Sequence, residues 1–116
     1  MKKPKEPKIY LEHILENIER IENNISDLSE AEFSKDVDIQ DATLRRLEII
    51  GEAVKNLPLP FRKKYPSIPW KKMAGMRDIL IHEYFGVDMY LVWKILTKDI
   101  PKLKKQILKI IEKLQD

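Results

Sequence analysis

Arg77, Asp78, His82 and Tyr84 combine a cation, a carboxylate, an imidazole and a phenol within eight residues of this chain. They belong to a stretch that reads as an amphipathic helix. At about 100° per residue, Trp70, Met73, Ala74, Leu80 and Ile81 share one face, and Arg77 and Tyr84 fall inside that apolar arc. Asp78 and His82 lie on its flank. A guanidinium within an apolar stripe needs partners to offset its desolvation. Two readings stand. Arg77 snorkels from the stripe edge to a core carboxylate, or it is held to neutralise phosphate charge, which its planar fork suits. Asp78 and His82, at i and i+4, can form an ordinary exposed helix pair, or the carboxylate can orient the imidazole and raise its pKa. Tyr84 follows Arg77 by seven residues, on the same face and about 10.5 Å along. By pattern alone it is a core or rim residue. Trp70 and Trp93 read as packing residues.

Arg77 and His82 are separated by about 140° around the axis and 7.5 Å along it. One helix does not readily aim both at a single phosphate. Two copies of the helix meeting across a two-fold axis would bring both residue types into one cleft, so a homodimer is the economical expectation.

Composition narrows the possibilities. With 116 residues, 43% hydrophobic and 35% charged, the chain reads as one folded domain with a modest core. No apolar run reaches the length of a membrane span, so no membrane association is expected. Met1 to Lys8 is basic, lacks an apolar stretch and reads as a flexible lead-in of residues 1–8 before a single domain over 9–116. The default location is cytoplasmic. The chain has no cysteine and two histidines, His13 and His82. That excludes disulfides, thiolate metal sites and histidine-rich sites, though carboxylates could still hold a hard cation. No cofactor is expected, and no Gly-rich phosphate loop occurs. The net charge of +3 is unevenly spread. Glu12 to Asp41 carries ten acids against Arg20 and Lys35. Lys55 to Arg77 carries seven basic residues and no acid: Lys55, Arg62, Lys63, Lys64, Lys71, Lys72 and Arg77. This segment leads into the unusual helix and suits a polyanion beside it. It can also be a solvated turn and an exposed first-turn pair.

The remaining elements are all helical. Leu11, Ile14, Ile18, Ile21, Ile25 and Leu28 form a heptad seam. A polar stretch from Ser26 to Asp38 has room for a short helical turn around Ala31–Phe33. A second long helix runs from about Asp38 or Ile39 to Asn56, with Ala42, Leu47, Ile50 and Val54 inward and Gly51 permitting a close crossing. The prolines at 58 and 60 end it. Phe61 to Tyr65 forms one turn, Pro69 opens the third long helix at its first position, and Gly86 ends that helix. Asp88 caps the next helix, Met89 to about Lys98. Asp99 caps a last one, with Pro101 in its first turn. No strand or repeat is evident. The expectation is an all-α bundle of four to five main helices.

Arg77-x4-His82-x-Tyr84, with its flanks, resembles the R-x4-H-x-Y motif of HepT-like toxins in the HEPN superfamily. The flanks are Leu47-Glu48-Ile49-Ile50-Gly51-Glu52-Ala53, Ile68-Pro69-Trp70, Met73-Ala74-Gly75-Met76-Arg77-Asp78 and His82-Glu83-Tyr84-Phe85-Gly86-Val87-Asp88. The likeness runs from about Ile9 to the final helix. It implies a HEPN-like homodimer with the motifs of both subunits lining one cleft, and metal-independent endoribonuclease activity on RNA. Arg77 would then stabilise phosphate and transition-state charge, His82 would act as general acid–base, and Asp78 would support the site. Many members of the superfamily have Asn at the position of Asp78; Asp occurs there in this branch and adds negative charge near the phosphate. The resemblance also implies the toxin of a type VII-like toxin–antitoxin pair. A minimal nucleotidyltransferase antitoxin, holding ATP and Mg²⁺, would transfer AMP to Tyr84. The alternative is a non-catalytic subunit that binds a nucleotide or substrate for a nucleotidyltransferase. A weaker third reading is a structural helical adaptor in which the motif packs a dimer.

Overall fold

Apolar residues at helical spacing dominate the chain, and the computed structural model turns them into a helical bundle. It describes residues 6–82 and 88–114, without the side chains of 77–82. The elements are α1 (Pro7–Ile25), α2 (Glu30–Lys35), α3 (Val37–Asn56), α4 (Leu59–Lys64), α5 (Trp70–His82), α6 (Met89–Lys94), a π-helical turn (Ile95–Asp99) and α7 (Ile100–Leu114). No strand occurs among the described residues. The four long helices are α1, α3, α5 and α7, as the all-α expectation requires.

The heptad seam of α1 is the core's first wall. Leu11, Ile14, Ile18 and Ile21 are fully buried, and Ile25 packs at the core's edge. Helix α1 begins at Pro7, two residues before Ile9, because proline is tolerated where an N–H has no helical partner. Asn17 shares the buried face. Its Nδ2 donates to the His13 carbonyl at 2.8 Å, and its Oδ1 accepts from Arg46 Nη1 at 3.2 Å. Both ends of a buried amide are thereby engaged, and the second bond ties α1 to α3. The Lys104 ammonium of α7 hydrogen-bonds Glu22 of α1 at 2.7 Å, which holds its pKa above the ordinary 10.5.

Helix α3 runs between α1 and α5 and packs on both. Leu47, Ile50, Gly51 and Val54 face inward as expected. Ala42 does not; it is exposed. It stands about 140° from Leu47 on the helix, and Thr43 and Leu44 take the inward positions. Thr43 tolerates full burial because its hydroxyl hydrogen-bonds the carbonyls of Ile39 and Gln40, each at 3.0 Å.

The short α2 forms because Ser29 and Glu32 make a reciprocal cap. Ser29 Oγ accepts from the Glu32 N–H at 3.2 Å, and Glu32 Oε1 accepts from the Ser29 N–H at 2.9 Å. Removing the cap with Ser29→Ala is expected to cost about 1 kcal/mol, read as a shift in urea midpoint. The hydrogen bonds from Ser29 hold the Glu32 carboxyl below its ordinary 4.5. Its contribution to stability is therefore present above pH 4.5 and is lost as pH falls through the lower folded value. Glu32→Gln should flatten that acid limb of the stability curve.

Two boundaries differ from the sequence expectation. The Pro69 carbonyl accepts from the Met73 N–H at 3.0 Å, so Pro69 is the N-cap of α5 rather than its first helical residue. The expected end of that helix near Gly86 lies outside the described residues. Asp99 does not cap a separate helix. It belongs to a π turn that joins α6 to α7, in which the Ile100 N–H bonds the Ile95 carbonyl. Pro101 supplies the reason: it lacks an N–H and its ring would strike the carbonyl four residues back, so the helix widens one turn earlier. Asp88 does cap α6, accepting from the Tyr90 N–H at 2.9 Å.

Candidate active site

Helix α5 positions the chemistry-bearing residues. Trp70 opens it and is 6% exposed, with its indole N–H donating to the Tyr65 carbonyl at 3.0 Å. Met73 and Ala74 are buried, so the first half of the predicted apolar stripe faces the core against α3, and Met76 beside it is buried as well. Arg77, Asp78 and His82 all lie on the backbone of this one helix. Their side chains lie outside the described residues, as do those of Leu80 and Ile81 in the same stripe. Tyr84 lies outside them altogether. The helical register is thus what fixes their relation: positions 78 and 82 are one turn apart on one line, and position 77 is about 140° from position 82.

The entry to α5 is basic. Around the turn that joins α4 to α5 lies a shallow basin of about 440 Å³, lined by Arg62, Lys63, Ile68, Trp70, Lys71 and Lys72 among others. Lys63, Lys64, Lys71 and Lys72 are exposed. Lys72 pairs with Asp99 at 3.3 Å. The Nε of Arg62 is buried and has no hydrogen-bond partner among the described residues. A second groove, of about 590 Å³, runs between α1 and α3 and is lined by Tyr10, His13, Glu16, Arg45 and Glu52 among others. Its described lining includes His13, the chain's other histidine. No group of three or more potential metal ligands occurs among the described residues. No described helix is long and apolar enough to cross a membrane.

Trp93 is a packing residue, its ring 5.1 Å from that of Phe33. Sequence reading missed Asn17 and Arg46. Asn17 stands within the seam of α1, between Ile14 and Ile18, and a polar residue at an inward position is the signal that could have found it.

Residues 14–110 match the family described as Ribonuclease HepT-like. The chain belongs to the HepT-like ribonuclease family. Its curated relatives agree. A protein of Methanocaldococcus jannaschii named "Gamma-glutamylcyclotransferase and putative RNase" is 60% identical over 110 residues, covering 95% of this chain and 50% of that protein. A "Putative RNase" of Caldanaerobacter subterraneus is 50% identical over 109 residues, covering 94% of this chain and 97% of its own length. A "Probable ribonuclease HepT" of Thermococcus cleftensis is 52% identical over 97 residues, covering 84% and 88%. The chain therefore spans half of the first of these HepT-like relatives and most of the other two. No solved structure matches it.

Proposed function

We propose that this HepT-like chain is a metal-independent endoribonuclease and the toxin of a toxin–antitoxin pair, acting as a homodimer with its motif residues at a shared cleft. Membership of a ribonuclease family over residues 14–110 carries the reading, and the register of Arg77, Asp78 and His82 on one helix supports it. In the reaction the ribose 2′-oxygen bonds to the adjacent phosphorus and the bond from phosphorus to the 5′-oxygen breaks. His82 moves the proton between the 2′-hydroxyl and the departing 5′-oxygen. Arg77 neutralises the charge that builds on the phosphate oxygens. Asp78, one turn before His82, steadies the imidazole. The products are a 2′,3′-cyclic phosphate and a 5′-hydroxyl.

Tyr84 is the regulatory residue in this reading. A nucleotidyltransferase antitoxin, carrying its own ATP and Mg²⁺, directs the phenol oxygen onto the α-phosphate of ATP. Pyrophosphate leaves and AMP stays on Tyr84. The added bulk and negative charge then oppose RNA binding. The acidic face that α1 and α2 present, with Glu12, Glu16, Glu19 and Glu30 exposed, is a surface for that partner.

The test is end-labelled RNA incubated in EDTA with protein shown by mass to be unmodified. Cyclic-phosphate ends should appear, and treatment with the antitoxin and ATP should abolish them in the native chain but not in Tyr84→Phe. Folded, unmodified protein that binds nucleotide and cuts no RNA would replace this reading with that of a non-catalytic binding subunit.

A further inference from the structure

Several basic residues that the motif does not use gather around the turn that joins α4 to α5. Helix α4 supplies Arg62 and Lys63, and the first turn of α5 supplies Lys71 and Lys72, around the Pro66–Pro69 turn. Helix α7 extends this side, because Gln106 Nε2 donates to the Ser67 carbonyl at 3.2 Å. Lys102 and Lys109 are exposed and stand within about 60° of Gln106 on that helix. They therefore flank the same turn.

The line continues toward the motif. Position 71 is eleven residues before position 82, about 20° away around the axis and 16.5 Å along it. Gly75 and Asp78 occupy the steps between, and Asp78 is the single acid from 71 to 82. Gly75 is mid-helix, where glycine costs about 1 kcal/mol against alanine, yet a Cβ there would meet nothing within 4 Å among the described residues. Packing against the described residues does not require the glycine. Its absence of a side chain leaves the helix surface low along the line that joins Lys71 to His82.

We infer that Lys63, Lys71, Lys102 and Lys109 form a phosphate track that receives the single-stranded RNA backbone and leads it past Gly75 to His82. The inference deepens the ribonuclease reading and rests on it. Charge complementarity selects the occupant: the face is cationic and open, with Lys72 already engaged by Asp99.

The test measures binding of a fluorescent 2′-O-methyl RNA, which cannot be cut by 2′-hydroxyl attack, over a range of salt. Lys71→Gln/Lys109→Gln should reduce the magnitude of the salt slope by about 1.4, at about 0.7 per lost phosphate contact. Affinity should fall several-fold at low salt, and KM for unmodified RNA should rise in step. Lys8→Gln/Lys35→Gln, with the same change in net charge, should leave both unchanged. Gly75→Glu, which the open space accommodates, should weaken binding while the protein stays folded. If the Lys71/Lys109 variant binds with the native slope while RNA is still cut, the track is wrong and the nuclease stands. If native protein binds with the expected lysine dependence and cuts no RNA, the nuclease reading fails and the track stands. If an acidic protein rather than RNA binds this face in a lysine-dependent way, the track is overturned.

Discussion

His82→Ala is expected to reduce RNA cleavage by about 10²–10⁴-fold and Arg77→Ala by about 10²–10³-fold, with folding intact. The magnitude follows from the roles assigned. A positioned general acid–base contributes about 10²–10⁴-fold, and a charge-stabilising donor on the transition state about 10²–10³-fold. The two losses should differ in kind. With His82 as the proposed general acid–base, His82→Ala should leave a residual rate without the pH dependence of the native enzyme. Arg77→Ala should keep that dependence at a lower rate, because the imidazole remains. Arg77→Lys should recover little, since a point charge does not reproduce a planar fork. Initial rates on one labelled RNA across a pH series, beside circular dichroism of each variant, provide the check. Equal, pH-independent losses in all three variants would point to a structural defect in α5.

Phe33→Ala is expected to destabilise the fold by about 3–5 kcal/mol, the largest stability effect of any single truncation considered. Phe33 is fully buried, and it is the one residue of α2 that reaches the core. Its ring lies 5.1 Å from Trp93 at a tilt of 39°, so truncation removes an aromatic pair as well as apolar area. Gln40 Nε2 also donates to the Phe33 carbonyl at 2.8 Å, fixing the turn that seats the ring. Urea unfolding should show the loss at unchanged m-value. A loss below about 1 kcal/mol would mean that α2 is peripheral to the bundle.

Much of this architecture is legible in the sequence because helical periodicity is dictated by burial. The seam from Leu11 to Ile21 appears in the structure as four fully buried residues, and Asp88 caps α6 as its position implied. Readings that failed did so where one residue answered to two demands. Thr43 takes an inward place from Ala42 because its hydroxyl can be satisfied within its own helix, which composition does not reveal. Asp99 looked like a cap because Pro101 follows it. The chain instead absorbs the proline by a π turn, and Asp99 is left to meet Lys72 across the bundle.

The candidate site was legible differently. Types and spacing marked Arg77, Asp78 and His82, and the structure brings them onto one helix as expected. Tyr84 lies beyond the described residues, so its assignment rests on the motif alone. The charge asymmetry also proved spatial, since Arg62 and Lys63 share one basin with Lys71 and Lys72. What the sequence could not supply was the low, open line at Gly75, because a glycine's surroundings are set by elements distant in the chain.

If Arg77 and His82 act together across a dimer, mixing two inactive variants should restore activity. Arg77→Ala and His82→Ala chains, co-refolded in equal amounts, should pair at random. Half of the resulting dimers would be mixed, and the shared cleft of each would hold one intact Arg77 and one intact His82, so RNA cleavage absent from either parent should return. Mixed dimers confirmed by differential tags but as inactive as either parent would contradict the shared cleft.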